Sequence, residues 1–139
     1  MPRDDQNTLR IAPTTELEDE HIHTLLRAYN ARRWPKDMPS LSFTAQVEGE
    51  LAGGIVAYLV ADTVEVEHLF VQERFRGRGI ARALLARVES QAQERGARKI
   101  LLNTYGFQAP GLYRYLGFQE VATIDDVLGT SWHIFLKRI

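Results

Sequence analysis

A mixed β-sheet of about seven strands with about four helices on its faces, an α/β (α+β) sandwich, is the fold class this chain predicts. Three observations predict it. Apolar, β-branched runs broken by turn residues fill positions 41 to 71. An amphipathic helix pattern from Gly79 to Arg95 lies between two apolar runs, Val64 to Val71 and Lys99 to Thr104. Two more strand-like runs follow towards residue 139.

Residues 1–7 are polar and read as a disordered lead. Leu9-Arg10-Ile11 is short and alternating, which suits a first strand. Thr15-Glu16-Leu17-Glu18 has the spacing of a capping box, in which hydroxyl and carboxylate satisfy free N–H groups. Ile22, Leu25, Leu26 and Tyr29 then mark one face of a helix. Trp34-Pro35 ends it, because the residue before proline is pushed out of helical geometry. Lys36 to Ser40 is a loop. Leu41 to Val47, Leu51 to Val60 and Thr63 to Val71 predict three meandering strands, turning at Glu48-Gly49-Glu50 and Ala61-Asp62. Gly53-Gly54 inside the second strand predicts a bulge or a close backbone approach.

The helix after Gly79 places Ala81, Leu84, Leu85, Val88 and Ala92 on one stripe, and Gly96 suits its left-handed end. Lys99 to Thr104 follows as a strand. A strand, a crossover helix and a strand predict a parallel pair. Pro110 suits the first position of a short helix, Pro110 to Leu116, stopped by Gly117. Gln119 to Ile124 and Trp132 to Lys137 predict the last strands, with a loop from Asp125 to Ser131.

The chain has 139 residues, enough for one domain with a core of its own. It has no cysteine, which excludes disulfides, thiolate metal sites and cysteine nucleophiles. The net charge of −1 argues against a general nucleic-acid binder. No apolar run reaches the length of a membrane span, and no apolar signal core opens the sequence, so a cytoplasmic protein is expected. His21 and His23 stand two apart on a helix and do not converge on a metal.

The segment Arg74-Phe75-Arg76-Gly77-Arg78-Gly79-Ile80-Ala81 carries the chemistry. Two glycines at a strand-to-helix junction let the backbone approach a ligand. The helix start adds unpaired N–H groups and partial positive charge, which together suit a diphosphate. The dinucleotide fingerprint G-x-G-x-x-G is absent, and so is the lysine of the P-loop. Taken alone, R-G-R-G is also compatible with a basic surface turn.

Two segments narrow the choice. Arg74-x-x-Gly77-x-Gly79 follows a strand, and Leu112-Tyr113-Arg114-Tyr115-Leu116-Gly117-Phe118 lies further on. Together they resemble the two marks of the GNAT superfamily of acyl-CoA-dependent N-acyltransferases, Q/R-x-x-G-x-G/A and F-Y-x-x-x-G-F, with Leu112 replacing the usual aromatic. The resemblance covers roughly residues 8–139 and is nearest the small single-domain bacterial type.

The resemblance implies the GNAT fold and transfer of an acetyl group from acetyl-CoA to an amine, by direct attack through a tetrahedral intermediate. It implies no metal. By resemblance, the main chain of Leu69, Phe70 and Val71 pairs with the pantetheine arm and polarises the carbonyl. The N–H groups of Arg76 to Ala81 (Arg76, Gly77, Arg78, Gly79, Ile80, Ala81) take the pyrophosphate, with the Arg74, Arg76, Arg78 and Arg82 side chains helping. Asn103 contacts the cofactor arm. Tyr113 is the general acid, since a phenol is protonated at neutral pH and donates to sulfur. Tyr115 points elsewhere and reads as structural.

Glu67 and Glu65 are the candidate bases. They share one face of their strand by alternation, which is unexpected for an apolar sheet face. A solvated face explains the same pattern. His68 faces the other way unless a bulge shifts it. Trp34, Pro35, Met38 and Trp132 are candidates to line the acceptor pocket. The acceptor is a small-molecule or peptide amine, with no nucleic-acid or membrane partner expected. Homodimers through C-terminal strands are common in such families, which makes a homodimer an expectation here. The competing reading is a non-catalytic domain that senses acyl-CoA.

Overall fold

The computed structural model describes residues 8–139, so the expectation for residues 1–7 lies outside it. The described chain divides into two compact units, one ending at Trp34 and one running from Pro35 to Ile139.

The first unit holds helix α1, Glu16–Asn30. The capping box forms as its spacing predicts. Thr15 Oγ1 accepts from the Glu18 N–H at 3.3 Å, and the Glu18 carboxylate accepts from the Thr15 N–H at 3.0 Å. Leu9 to Ile11 forms no strand, which corrects the expectation there and leaves six strands rather than about seven among the described residues. Alternation over three residues is too short to hold a strand without a ladder partner.

The second unit holds strands β1 (Phe43–Val47), β2 (Glu50–Val60), β3 (Thr63–Val71), β4 (Lys99–Tyr105), β5 (Gln119–Val127) and β6 (Thr130–Arg138). They form one mixed sheet in the order β1-β2-β3-β4-β6-β5. Helices α2 (Ile80–Glu94) and α3 (Gly111–Tyr115) belong to this unit, with single 3₁₀ turns at Glu73–Phe75 and Gly106–Gln108. Among the described residues the count is therefore three α-helices rather than about four. The first strand begins at Phe43, not Leu41. Ser42 Oγ takes the Ala57 N–H at 3.2 Å and interrupts the ladder there. The expected loop from Asp125 to Ser131 is mostly strand. Val127 pairs with Thr130 across a two-residue turn, with Leu128 and Gly129 both at positive φ.

The core lies between α2 and one face of the sheet. Leu84, Leu85, Val88 and Ala92 pack with Ile55, Ala57, Leu59, Val64, Val66, Ile100, Leu102 and Phe135. Each large apolar side chain buried there stabilises the fold by roughly 1.5–3 kcal/mol. At the far end of α2, the Ala97 N–H reaches Ala92 O and the Gly96 N–H reaches Gln93 O, with Gly96 left-handed. That is a Schellman stop, as the glycine predicts.

Two irregularities shape the site. β3 and β4 are parallel, as expected, but pair only at Thr63–Lys99, Val64–Ile100 and Glu65–Leu101. Beyond Glu65 β3 keeps only β2 as a partner, and β4 keeps only β6. The sheet is split there. The second irregularity is a bulge. Val56 pairs with His68 and the next residue, Ala57, with Val66, so Glu67 is the extra residue on β3. A further register shift leaves Ala52 extra on β2, beside Gly53. Gly53 also lies against β3: a Cβ there would stand 2.5 Å from Phe70 O. Both features expected of Gly53-Gly54 are present.

Candidate active site

The bulge sets which way β3 faces. Before it, Val64 and Val66 are buried and Glu65 is exposed; after it, Leu69 and Val71 are partly covered and His68 and Phe70 are exposed. An extra residue shifts a two-residue period by one. Glu65, Glu67, His68 and Phe70 therefore all lie on the side away from the buried face. His68 is shifted by the bulge and joins the two carboxylates, instead of facing the other way.

The edge of β3 along the split is open. The Gln72 N–H donates to Ala52 O on the β2 side at 2.8 Å. Alternation then places the Phe70 groups on that same side and the main-chain groups of Leu69 and Val71 on the open edge. Val71 O is partly taken, accepting from Arg76 Nε at 2.9 Å.

Past β3 the chain makes a 3₁₀ turn and then a nest of donors. The Phe75 N–H is used by Gln72 O and the Arg76 N–H by Glu73 O. From Gly77 to Arg82 no backbone N–H has an acceptor among the described residues, and the first helical bond runs from Ala83 to Gly79 O. The free donors thus begin at Gly77, not at Arg76 as expected. Gly77 and Gly79 both have φ +77°, a left-handed conformation that glycine adopts without strain. No side chain caps α2, so its positive end is bare.

These elements border a cleft of about 600 Å³. Leu69, Phe70 and Val71 form one wall, Phe75 to Gly77 with Gly79 to Arg82 the end, and Phe107 to Ala109 with Leu112 and Tyr113 the other wall. Of the expected cofactor residues, Leu69, Phe70, Val71, Arg76, Gly77, Gly79, Ile80, Ala81 and Tyr113 line it. Arg74, Arg78 and Asn103 do not. Arg74 forms an ion pair with Glu50 and lies over the Phe75 ring. Arg78 also lies over Phe75, its guanidinium 5.5 Å from the ring centre. Asn103 accepts from Trp132 Nε1 at 3.4 Å on the exposed side of β4. Glu65 and Glu67 are exposed on β3 and lie outside the cleft.

Tyr113 is fixed by its own helix end. The Phe118 N–H donates to Tyr113 O, the Gly117 N–H donates to Arg114 O, and Gly117 has φ +89°. This is a second Schellman stop, a turn that an apolar contact between its first and last residues often accompanies. The rings of Tyr113 and Phe118 supply that contact edge to face. The Y-x-x-x-G-F spacing is thus a folding unit that holds one tyrosine. Tyr113 is buried, and burial pushes its phenol pKa up. Its hydroxyl finds no hydrogen-bond partner among the described residues.

Phe107 and Gln108 were not among the expected site residues, although they stand in a segment, Thr104 to Tyr113, that resembles small bacterial members of the family. Phe107 is exposed, stacked on Tyr105, and on the cleft wall. Gln108 Oε1 accepts from the Tyr105 N–H at 2.9 Å and from Thr104 Oγ1 at 3.2 Å, which folds this turn against the end of β4. Their signal was the segment Thr104 to Tyr113, whose side-chain-to-backbone bonds are invisible to periodicity. No group of three or more metal-ligand side chains gathers among the described residues. No described helix is long and apolar enough to cross a membrane.

Comparison with known proteins gives one answer. The family described as "Acetyltransferase (GNAT) family" matches residues 7–118. Blasticidin-S acetyltransferase of Streptomyces morookaense is 37% identical over 93 residues, covering 66% of this chain and 68% of its own. Acetyltransferase Atu2258 of Agrobacterium fabrum is 32% identical over 111 residues, covering 78% of this chain and 81% of its own. Among solved structures, an acetyltransferase from Bacillus cereus ATCC 14579 superposes with a TM-score of 0.79 at 30% identity, covering 94% of this chain and 98% of its own.

Proposed function

The chain belongs to the acetyltransferase (GNAT) family and is an acetyl-CoA-dependent N-acyltransferase, and we propose that it acetylates the primary amine of a small molecule or peptide. The observation that carries this reading is the meeting, in one cleft, of an open strand edge, a bare helix start with free N–H groups, and the Tyr113 ring.

The residues present fit acetyl-CoA by their donor chemistry. The N–H groups from Gly77 to Arg82 suit a diphosphate, with Arg76 and Arg82 adding charge at the cleft. The open groups of Leu69 and Val71 suit an amide-bearing arm that pairs as a strand would. When bound, acetyl-CoA supplies the activated acetyl thioester. The Leu69 and Val71 main chain orients it and offers an N–H to the carbonyl oxygen, where negative charge develops. Tyr113, kept protonated by burial, donates to the departing sulfur. Glu67, two residues into the split, takes the amine proton directly or through water, and Glu65 adds negative charge that attracts a cationic amine. Asn103 is left out of this set, because it bonds Trp132 instead. The name of the Streptomyces relative supports a small-molecule acceptor. We also propose that residues 8–139 act as one catalytic domain.

The test pairs binding with turnover. Acetyl-CoA should raise the melting temperature, and a panel of amines should include one that releases free CoA. Stabilisation without release from any amine would favour a sensing domain. The absence of both effects would overturn the proposal.

A further inference from the structure

Outside the cleft, polar side chains gather around Glu120. Its Oε1 lies 2.5 Å from His133 Nδ1, and Thr123 Oγ1 donates to the same carboxylate. Its Oε2 accepts from Arg114 at 2.7 Å from Nε and 2.6 Å from Nη2, a forked pair. Ser131 Oγ is 2.8 Å from His133 Nε2. His133 is buried.

A hydroxyl on Nε2 and a carboxylate on Nδ1 have the connectivity of a nucleophilic triad. The surroundings deny that role. Gly106 packs on Ser131 so closely that a Cβ there would collide with Oγ. Neither Ser131 nor His133 lines the cleft.

The network points at α3 instead. Arg114 directly follows Tyr113. Phe135, wholly buried, meets the Tyr113 ring at 5.5 Å, the Arg114 guanidinium at 5.7 Å and the His133 ring at 6.2 Å. One carboxylate therefore ties the tyrosine's helix to β6 on both sides of a shared aromatic ring. Neutral His133 donates from Nδ1 to Glu120 and accepts from Ser131; charged His133 donates from both nitrogens. Nδ1 therefore donates to Glu120 in either form.

We propose that Glu120, clamped between Arg114 of α3 and His133 of β6, is a positioning residue that sets the Tyr113 hydroxyl in the cleft without touching substrate. This rests on Tyr113 as general acid. Small misplacement of a catalytic group is enough to lower turnover by about tenfold or more.

The test uses the full chain with Glu120→Gln, Arg114→Gln, Tyr113→Phe and the double variant Tyr113→Phe/Glu120→Gln. Arg114 is half exposed, so its variant keeps the test alive should Glu120→Gln fail to fold. Each clamp variant should lower kcat about tenfold and leave the Kd for CoA within twofold. Glu120→Asp should recover part of the loss. In the Tyr113→Phe background, Glu120→Gln should change kcat no further. An equal loss in that background, or no loss from either clamp variant, overturns the proposal. The ultraviolet titration of the Tyr113 phenol, isolated by subtracting the Tyr113→Phe curve, separates the two ideas. If Tyr113→Phe keeps full turnover, the acid role fails. The clamp then stands if Glu120→Gln shifts that titration, and falls if it does not.

Discussion

The Phe118 N–H lies 2.9 Å from the Tyr113 carbonyl, and the two rings meet edge to face with centres 5.8 Å apart. Gly117, between them at φ +89°, makes both contacts available. Gly117→Ala should cost about 1–2 kcal/mol through left-handed strain. Thermal unfolding should show a drop of several degrees. Because the strain loosens the turn that holds Tyr113, kcat should fall more than KM rises.

Tyr113→Phe should leave stability nearly unchanged, because the hydroxyl it removes has no partner among the described residues. Turnover should fall on the order of 100-fold, the scale of a lost general acid. A phenol acts as an acid only while protonated, and burial raises its pKa. Wild-type activity should therefore persist with rising pH and decline only above about 10, the ordinary tyrosine value. A decline near neutrality that Tyr113→Phe abolishes would contradict this assignment.

The phosphate loop makes a contrast between neighbours. Gly79→Ala strains the helix start and should weaken CoA binding roughly tenfold by calorimetry. Arg74→Ala should change that affinity less than twofold, because its guanidinium is held by Glu50 outside the cleft. A large loss from Arg74→Ala would mean that the arginine turns towards the ligand on binding.

Glu120 predicts an acid-side signature. Hydrogen bonds from Thr123 and His133, and then Arg114, hold its pKa at about 2 against an ordinary 4.5. A depressed carboxylate contributes stability that is full above its unfolded pKa and is lost as pH falls through its folded pKa. The stability difference between wild type and Glu120→Gln should therefore be constant above pH 4.5 and shrink from there down to about pH 2. Urea melts across that range measure it; a constant difference would contradict the bonds to Glu120.

Much of this was legible before any coordinates, for identifiable reasons. The capping box at Thr15, the glycine stop at Gly96 and the stripe on α2 are local, and local bonds leave local spacing. The cleft's glycines were legible because turn geometry restricts residue type, and Tyr113 through the family resemblance of the segment Leu112 to Phe118. The misses are long-range. Nothing near Arg74 announces Glu50, and nothing near Asn103 announces Trp132. The reversal of His68 depends on the register between Val56 and Ala57, which belongs to two strands at once. Leu9 to Ile11 has a strand's alternation and no partner to pair with.

The three-residue pairing of β3 with β4 has a consequence for the chain without ligand. Past Glu65 β3 and β4 no longer pair with each other, and on the β3 edge Arg76 takes only part of what is left open, at Val71 O. An open strand edge invites any extended segment, a neighbouring chain included. A cofactor arm lying in that gap would be a borrowed strand, completing the architecture as well as feeding the reaction. The folded chain would then be stabilised in step with the cofactor concentration around it.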